Sequence, residues 1–198
     1  PAAWAQDARP DLELVPHPEL SELDPAVRAR LEPGIEFFRT QRAQLEGRPL
    51  GLAYGRIGIN YLAHEQYDAA EACLRNARAL DQQNPRWPYL LGYLRQETGN
   101  AEGAVTAFRD SLKLNRSYTP GFVRLGQVLL ATERVDEAEA AFQVGLEEDS
   151  NDPAGLMGLG DVAMSRGQPA SAVSLYQRGL RTAPEASLFH ARLSEAYR

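Results

Sequence analysis

The stretch YLLGYLRQETGN, residues 89–100, sets Gly92 in the middle of an apolar helical pattern. A glycine in that place costs a helix about 1 kcal/mol relative to alanine, so something outside the helix must favour it. Sliding the sequence along itself shows what: Gly58, Gly92, Gly126 and Gly160 stand 34 residues apart. The same offset relates Ala70, Ala104, Ala138 and Ala172, and Ile57, Leu91, Leu125 and Leu159. It also relates four bulky residues, Leu74, Phe108, Phe142 and Tyr176. A fixed period of this length marks a repeat architecture, in which each unit buries its apolar face against its neighbours.

Each unit divides into two helical stretches. RWPYLLGYLRQET and AEGAVTAFRDSLKLN flank a short Gly99-Asn100 turn, and Gly167 follows GLMGLGDVAMSR in the same way. Glycine there supplies the left-handed conformation that closes a helix. Asn84-Pro85, Thr119-Pro120 and Asp152-Pro153 each offer a capping oxygen followed by a proline in the first turn, and Pro88 sits near a first turn too. Two helices cross closely only where the contact is small. The expectation is a glycine on the first helix facing an alanine on the second. The bulky residue four positions later then fills the space between one pair and the next.

These positions resemble the tetratricopeptide repeat, which carries a small residue at position 8, alanine at 20, an aromatic at 24 and often proline near 32. Counting Gly51 as position 1, the units run 51–84, 85–118, 119–152 and 153–186. Positions 8 and 20 match in all four, and position 27 is small throughout as Ala77, Ser111, Gly145 and Gly179. Leu74 departs from the aromatic at 24, the usual tryptophan at 4 is replaced by Tyr54, Pro88, Phe122 and Leu156, and proline 32 survives only as Pro184. The resemblance implies an all-α fold: an α-solenoid of antiparallel helix pairs coiled into a right-handed superhelix, four units plus flanking helices.

Outside the array, residues 1–24, with Pro10, Pro16 and Pro18, read as an extended or disordered lead-in. Residues 25–46 read as a capping helix with Val27, Leu31, Ile35, Phe38 and Leu45 on one face, and Pro33-Gly34 predicts a break or kink in it. Residues 187–198, SLFHARLSEAYR, repeat the start of a unit, with Leu193, Ser194 and Tyr197 at positions 7, 8 and 11. A terminal cap normally has a polar outer face. The expectation is therefore a chain that continues or an edge that self-associates through this helix. Ala3-Trp4-Ala5 resembles the end of a secretory signal, which gives periplasmic or otherwise exported as the expected location and cytoplasmic as the alternative.

Composition argues against several functions. The net charge is -6 and 20 of the 21 basic residues are arginines, without segregation into a basic stripe, so binding to nucleic acid is not expected. No apolar run is long enough to span a bilayer. Cys73, the single cysteine, reads as a small buried residue in YDAAEACLRNA. His64-Glu65 lacks the second histidine of a zinc motif, and His17, His64 and His190 share no ligand spacing. Gly158 and Gly160 lie on a helix, so they read as packing sites and not as a nucleotide fingerprint. The acidic run Glu147-Glu148-Asp149 reads as solvated surface. With no nucleophile paired to a base, neither an enzyme, a metal site nor a cofactor is expected.

By resemblance, positions 2, 5, 6, 9 and 12 of the first helices face a concave groove. They give Arg56, Ile59 and Leu62; Arg86, Tyr89 and Tyr93; Arg124, Gln127 and Leu130; Met157, Asp161 and Met164; and Arg192 and Glu195. Aromatic and methionine surface ringed by arginines suits a peptide or protein segment, with area to bury and donors for carboxylates. Each residue alone is equally consistent with solvation or helix packing. The chaperone-binding clamp of similar proteins uses lysine and asparagine at positions 5 and 9 of its first repeat, which are Gly55 and Ile59 here, so chaperone tails are not the expected ligand. Two functions follow: an adaptor for a peptide or protein, similar in architecture to several bacterial periplasmic assembly proteins, or a structural arm that contacts its own neighbours.

Overall fold

The computed structural model describes residues 11–198, so Ala3-Trp4-Ala5 lies outside the described residues. Ten α-helices follow one another: α1 (Pro25–Gln41), α2 (Gly47–Ala63), α3 (Tyr67–Leu80), α4 (Arg86–Glu97), α5 (Ala101–Leu114), α6 (Thr119–Ala131), α7 (Val135–Glu148), α8 (Pro153–Ser165), α9 (Pro169–Thr182) and α10 (Ser187–Ala196). There is no strand among the described residues. The chain divides into two compact units, one ending at Asn100 and the other beginning at Ala101. The division falls inside the second 34-residue repeat.

In the first unit α2 packs along α3, α3 against α4, and α1 against α2. The core is built from Leu50, Ile57, Tyr61, Leu74, Trp87 and Leu91, all nearly or fully buried. In the second unit each helix from α5 to α10 packs on the next, and α6 also touches α8. Phe142, Tyr176 and Phe189 are fully buried there. This is the all-α solenoid arrangement that the 34-residue period implies.

One turn recurs at every 34th residue. Glu65, Gly99, Glu133 and Gly167 all adopt positive φ, between 60° and 77°. Each begins a Schellman closure, in which the next residue's N–H reaches back five residues: Gln66 to Tyr61, Asn100 to Arg95, Arg134 to Leu129 and Gln168 to Ala163, at 2.7–3.0 Å. Two of the four closures use glutamate where glycine is the low-energy choice.

The expected pairing of glycine with alanine needs correction. The nearest neighbours of Gly58, Gly126 and Gly160 include the bulky position-24 residue of the same pair. A Cβ on Gly58 would lie 3.0 Å from Cys73 Cβ and 3.2 Å from Leu74; on Gly126, 2.6 Å from Phe142; on Gly160 it would overlap the Tyr176 ring. The glycine is a seat for a side chain. Phe142 is held from two sides, because Gly158 of α8 also faces its ring, so the expectation that bulky residues bridge successive pairs holds here. Gly55 likewise seats Trp87.

Two further expectations change. Helix α1 runs unbroken through Pro33; that residue is solvent-exposed, and Gly34 beside it lets α1 approach α2 so closely that a Cβ would lie 2.6 Å from Asn60 Nδ2. Thr119 does not cap α6 but is its first residue, with Tyr118 at the cap position; Asp152 and Asn84 do accept the amides of Gly155 and Arg86, at 2.6 and 3.1 Å. The lead-in takes the extended one of its two expected forms over residues 13–18. It lies extended against α3, as described below.

Candidate interaction surface

Helix α4 carries the clearest two-faced pattern. Trp87, Leu91 and Leu94 point inward and are about 1% exposed. Arg86 is exposed while Tyr89 and Tyr93 are half-buried, and their spacing of three and four residues puts all three on one side of the helix. The Arg86 guanidinium stands 5.9 Å from the Trp87 ring centroid, where the ring face attracts a cation. In the same unit Arg56 on α2 lies 5.0 Å over the Phe37 ring of α1. The two border an open cleft of about 410 Å³ whose floor includes Gly34, Phe38, Ile57 and Asn60. Ile59 and Leu62 are half-buried on α2.

In the second unit, Arg124 is half-buried and Gln127 exposed on α6. Asp161 and Arg192 are brought together: Arg192 Nε lies 3.0 Å from Asp161 Oδ1, and the Tyr176 hydroxyl donates to the same oxygen at 2.7 Å. Burial first, and then the Asp161 carboxylate, raises the Tyr176 hydroxyl well above its ordinary range, so it remains a donor. Arg192 also reaches Glu195 at 3.3 Å. The charges of Asp161 and Arg192 are thus largely spent on each other. Met157 and Met164 pack against the cluster of Ala163, Tyr176 and Phe189, which gives them a core role alongside their half-exposure.

His64 sits at the C-terminal end of α2 as the spacing suggested, and Cys73 is buried with its thiol pushed up by desolvation. Among the described residues no group of three or more histidine, cysteine or acidic side chains converges as for a metal. No described helix is long and apolar enough to cross a membrane.

Sequence reasoning missed the lead-in contacts. Asn76, 1% exposed on α3, accepts from Glu13 N at 2.8 Å and donates to Glu13 O at 2.9 Å. His17 Nδ1 lies 2.6 Å from the Tyr61 hydroxyl. The available signal was an asparagine on the apolar side of ACLRNA, residues 72–77; a buried amide needs a partner.

Helix pairs with these turns and this glycine seating define a helical repeat protein, and the comparisons say which. The tetratricopeptide repeat model matches residues 56–119, 89–153 and 157–198, and the chain belongs to that family. Among solved structures it is similar to MamA from Desulfovibrio magneticus RS-1, at 21% identity over 74% of this chain and 82% of that one, TM-score 0.67. It is also similar to YrrB, described as having an unusual peptide-binding site, at 20% identity over 84% and 86%, TM-score 0.70. The first tetratricopeptide domain of Spaghetti (RPAP3), bound to an HSP90 peptide, aligns at 22% identity over 62% and 97%, TM-score 0.59. Comparison with curated proteins finds no match. At these identities the likeness establishes the fold, and membership of the tetratricopeptide repeat family points to a protein–protein interaction scaffold.

Proposed function

We propose that the chain is an adaptor that takes a peptide or protein segment on the faces of its first helices: Arg56, Arg86, Tyr89 and Tyr93 in the first unit, and Arg124, Gln127, Met157, Asp161 and Arg192 in the second. The observation that carries this is the α4 face, where an exposed arginine and two half-buried tyrosines stand opposite a fully buried tryptophan and leucines. Tyrosine and arginine are the residue types that concentrate binding energy at interfaces. The Asp161–Arg192 pair contributes shape more than charge, since each already has a partner. Selection from a displayed random-peptide library tests the reading. Selected peptides should lose at least tenfold in affinity for the full chain carrying Tyr89→Ala and Arg124→Ala, with its unfolding midpoint held. Peptides that bind the double variant as well as they bind the parent overturn it.

A second reading has its own support. Leu188 on α10 and Tyr197 at its C-terminal cap are 51% and 66% exposed, which suits a structural arm that self-associates through that helix; sedimentation of the full chain against Leu188→Asp decides it. Export is the compartment we propose from Ala3-Trp4-Ala5, to be tested by fractionating cells that express the native gene.

A further inference from the structure

Residues 13–17 lie on α2 and α3 as a ligand would. The Asn76 amide offers one acceptor and one donor to a single residue, Glu13, at 2.8 and 2.9 Å. That is the pairing one strand residue offers its neighbour, here supplied by a side chain, so it recognises extended backbone whatever the side chain. Two residues on, Val15 is buried while Leu14 stays 63% exposed, the alternation of an extended segment lying on a surface. Pro16 centres a three-residue turn closed by His17 N–H to Val15 O at 3.0 Å, and His17 then reaches Tyr61. The Glu13 carboxylate meets Arg75 at 3.3 Å, with both groups about half exposed. Pro16 and Pro18 go on to border the α2–α3 turn beside Glu65 and Gln66. The segment therefore runs antiparallel to α3.

The receiving groups are built into the helices. With the segment in place Tyr61 is fully buried and Asn76 nearly so, and both sit on packed helices. The segment itself has one buried side chain, Val15, among residues 11–18. Its prolines hold the preceding residues in extended conformations before docking, which lowers the ordering cost of binding. A preformed receptor and a lightly held, preorganised occupant are the ingredients of an exchangeable site.

We propose that the surface around Asn76 and Tyr61 is a second peptide-docking site, separate from the first-helix faces, whose occupant is the chain's own Glu13–His17 segment. An extended peptide with an acidic residue two places before a buried valine-proline pair competes for it. The proposal does not rest on the groove reading.

The test uses the full chain carrying Val15→Asp, which ejects the segment and leaves the receptor intact, and a fluorescent peptide of residues 11–20. The variant should bind the peptide at least tenfold more tightly than the parent, whose site is filled in cis, and adding Asn76→Ala should abolish the gain. A helical Val15→Asp variant that binds no better than the parent, or a gain that survives Asn76→Ala, overturns the proposal. Should Val15→Asp fail to fold, amide exchange on the parent decides: the Glu13 amide should exchange at least tenfold more slowly than in Asn76→Ala. Exchange at the open-chain rate in both refutes the site.

Discussion

Replacing Gly160 by alanine adds one methyl group where the helix itself would welcome it, and the sign of the result separates the two effects. Alanine in place of glycine favours the helix by about 1 kcal/mol. Against this, the new Cβ would overlap the Tyr176 ring, with Cδ1 at 2.6 Å and Cζ at 2.8 Å. That ring is fully buried and its hydroxyl is held on Asp161 at 2.7 Å, so it cannot swing aside without giving up a hydrogen bond to a charged group, about 1.5–3 kcal/mol. Overpacking of a filled core costs about 1–3 kcal/mol. The net expectation is a loss of about 2 kcal/mol, or roughly 4–8 °C in unfolding midpoint for a chain of this size. Urea and thermal unfolding by circular dichroism read it directly. Tyr176→Phe frees the ring, so the double variant should lose less than the sum of the two single losses. A Gly160→Ala variant as stable as the parent, or more stable, would refute the claim that these glycines are seats for rings.

Glu133→Gly relieves a left-handed glutamate at φ 60° and should raise stability by about 1 kcal/mol, whereas Gly167→Ala at φ 69° should lower it by a similar amount; chemical denaturation of both variants checks the pair. Asp161→Ala leaves Arg192 and the Tyr176 hydroxyl without their shared carboxylate and should cost about 2 kcal/mol, while Asp161→Asn, which can still accept from Tyr176, should cost less. His17 titrates at about 4 in place of 6.5, because burial and then the Arg42 charge oppose the imidazolium, beside the Tyr61 hydroxyl. A depressed histidine stabilises the fold fully above pH 6.5 and loses that contribution as pH falls toward 4. The full difference is about 3 kcal/mol, and solvent reaching the ring reduces it to about 1–2 kcal/mol. Stability measured from pH 7 to 4 should therefore fall by that much more in the parent than in His17→Gln, and parallel curves would contradict the assignment.

The period of 34 residues was legible because it is written in backbone-limited positions. A glycine at position 8 and a left-handed residue at position 15 answer constraints that recur in each unit, and the first leaves the same mark in the sequence each time. Even so, Glu65 and Glu133 hid two of the four turns, since nothing in a glutamate announces positive φ. The seating of Tyr176 on Gly160 was half legible: a small residue was called for, but whether an alanine or a ring would fill the gap depends on the angle at which the two helices cross, which no local pattern encodes. Pro33 misled for a related reason. A proline removes one helical hydrogen bond and crowds the carbonyl four residues back; Pro33 faces water, which can satisfy the freed carbonyl, while Gly34 lets α1 settle onto Asn60.

The lead-in shows where such reading stops. Prolines at 16 and 18 announced an extended chain, and nothing in residues 11–18 said that it would be held. The holding comes from Asn76, more than 60 residues away, and its only trace was a polar amide among alanines on an otherwise apolar side. Asn76 donates to and accepts from the backbone of one residue, so what selects the occupant is extended geometry and the burial of Val15 two residues further on. Asn76 is 1% exposed with the segment in place, and each of its two hydrogen bonds to Glu13 replaces one to water for a net gain of about 0.5–1.5 kcal/mol. Losing both bonds predicts that Asn76→Leu keeps the helices folded while releasing the segment. An unchanged Glu13 amide exchange rate in that variant would show that Val15 alone holds the segment in place.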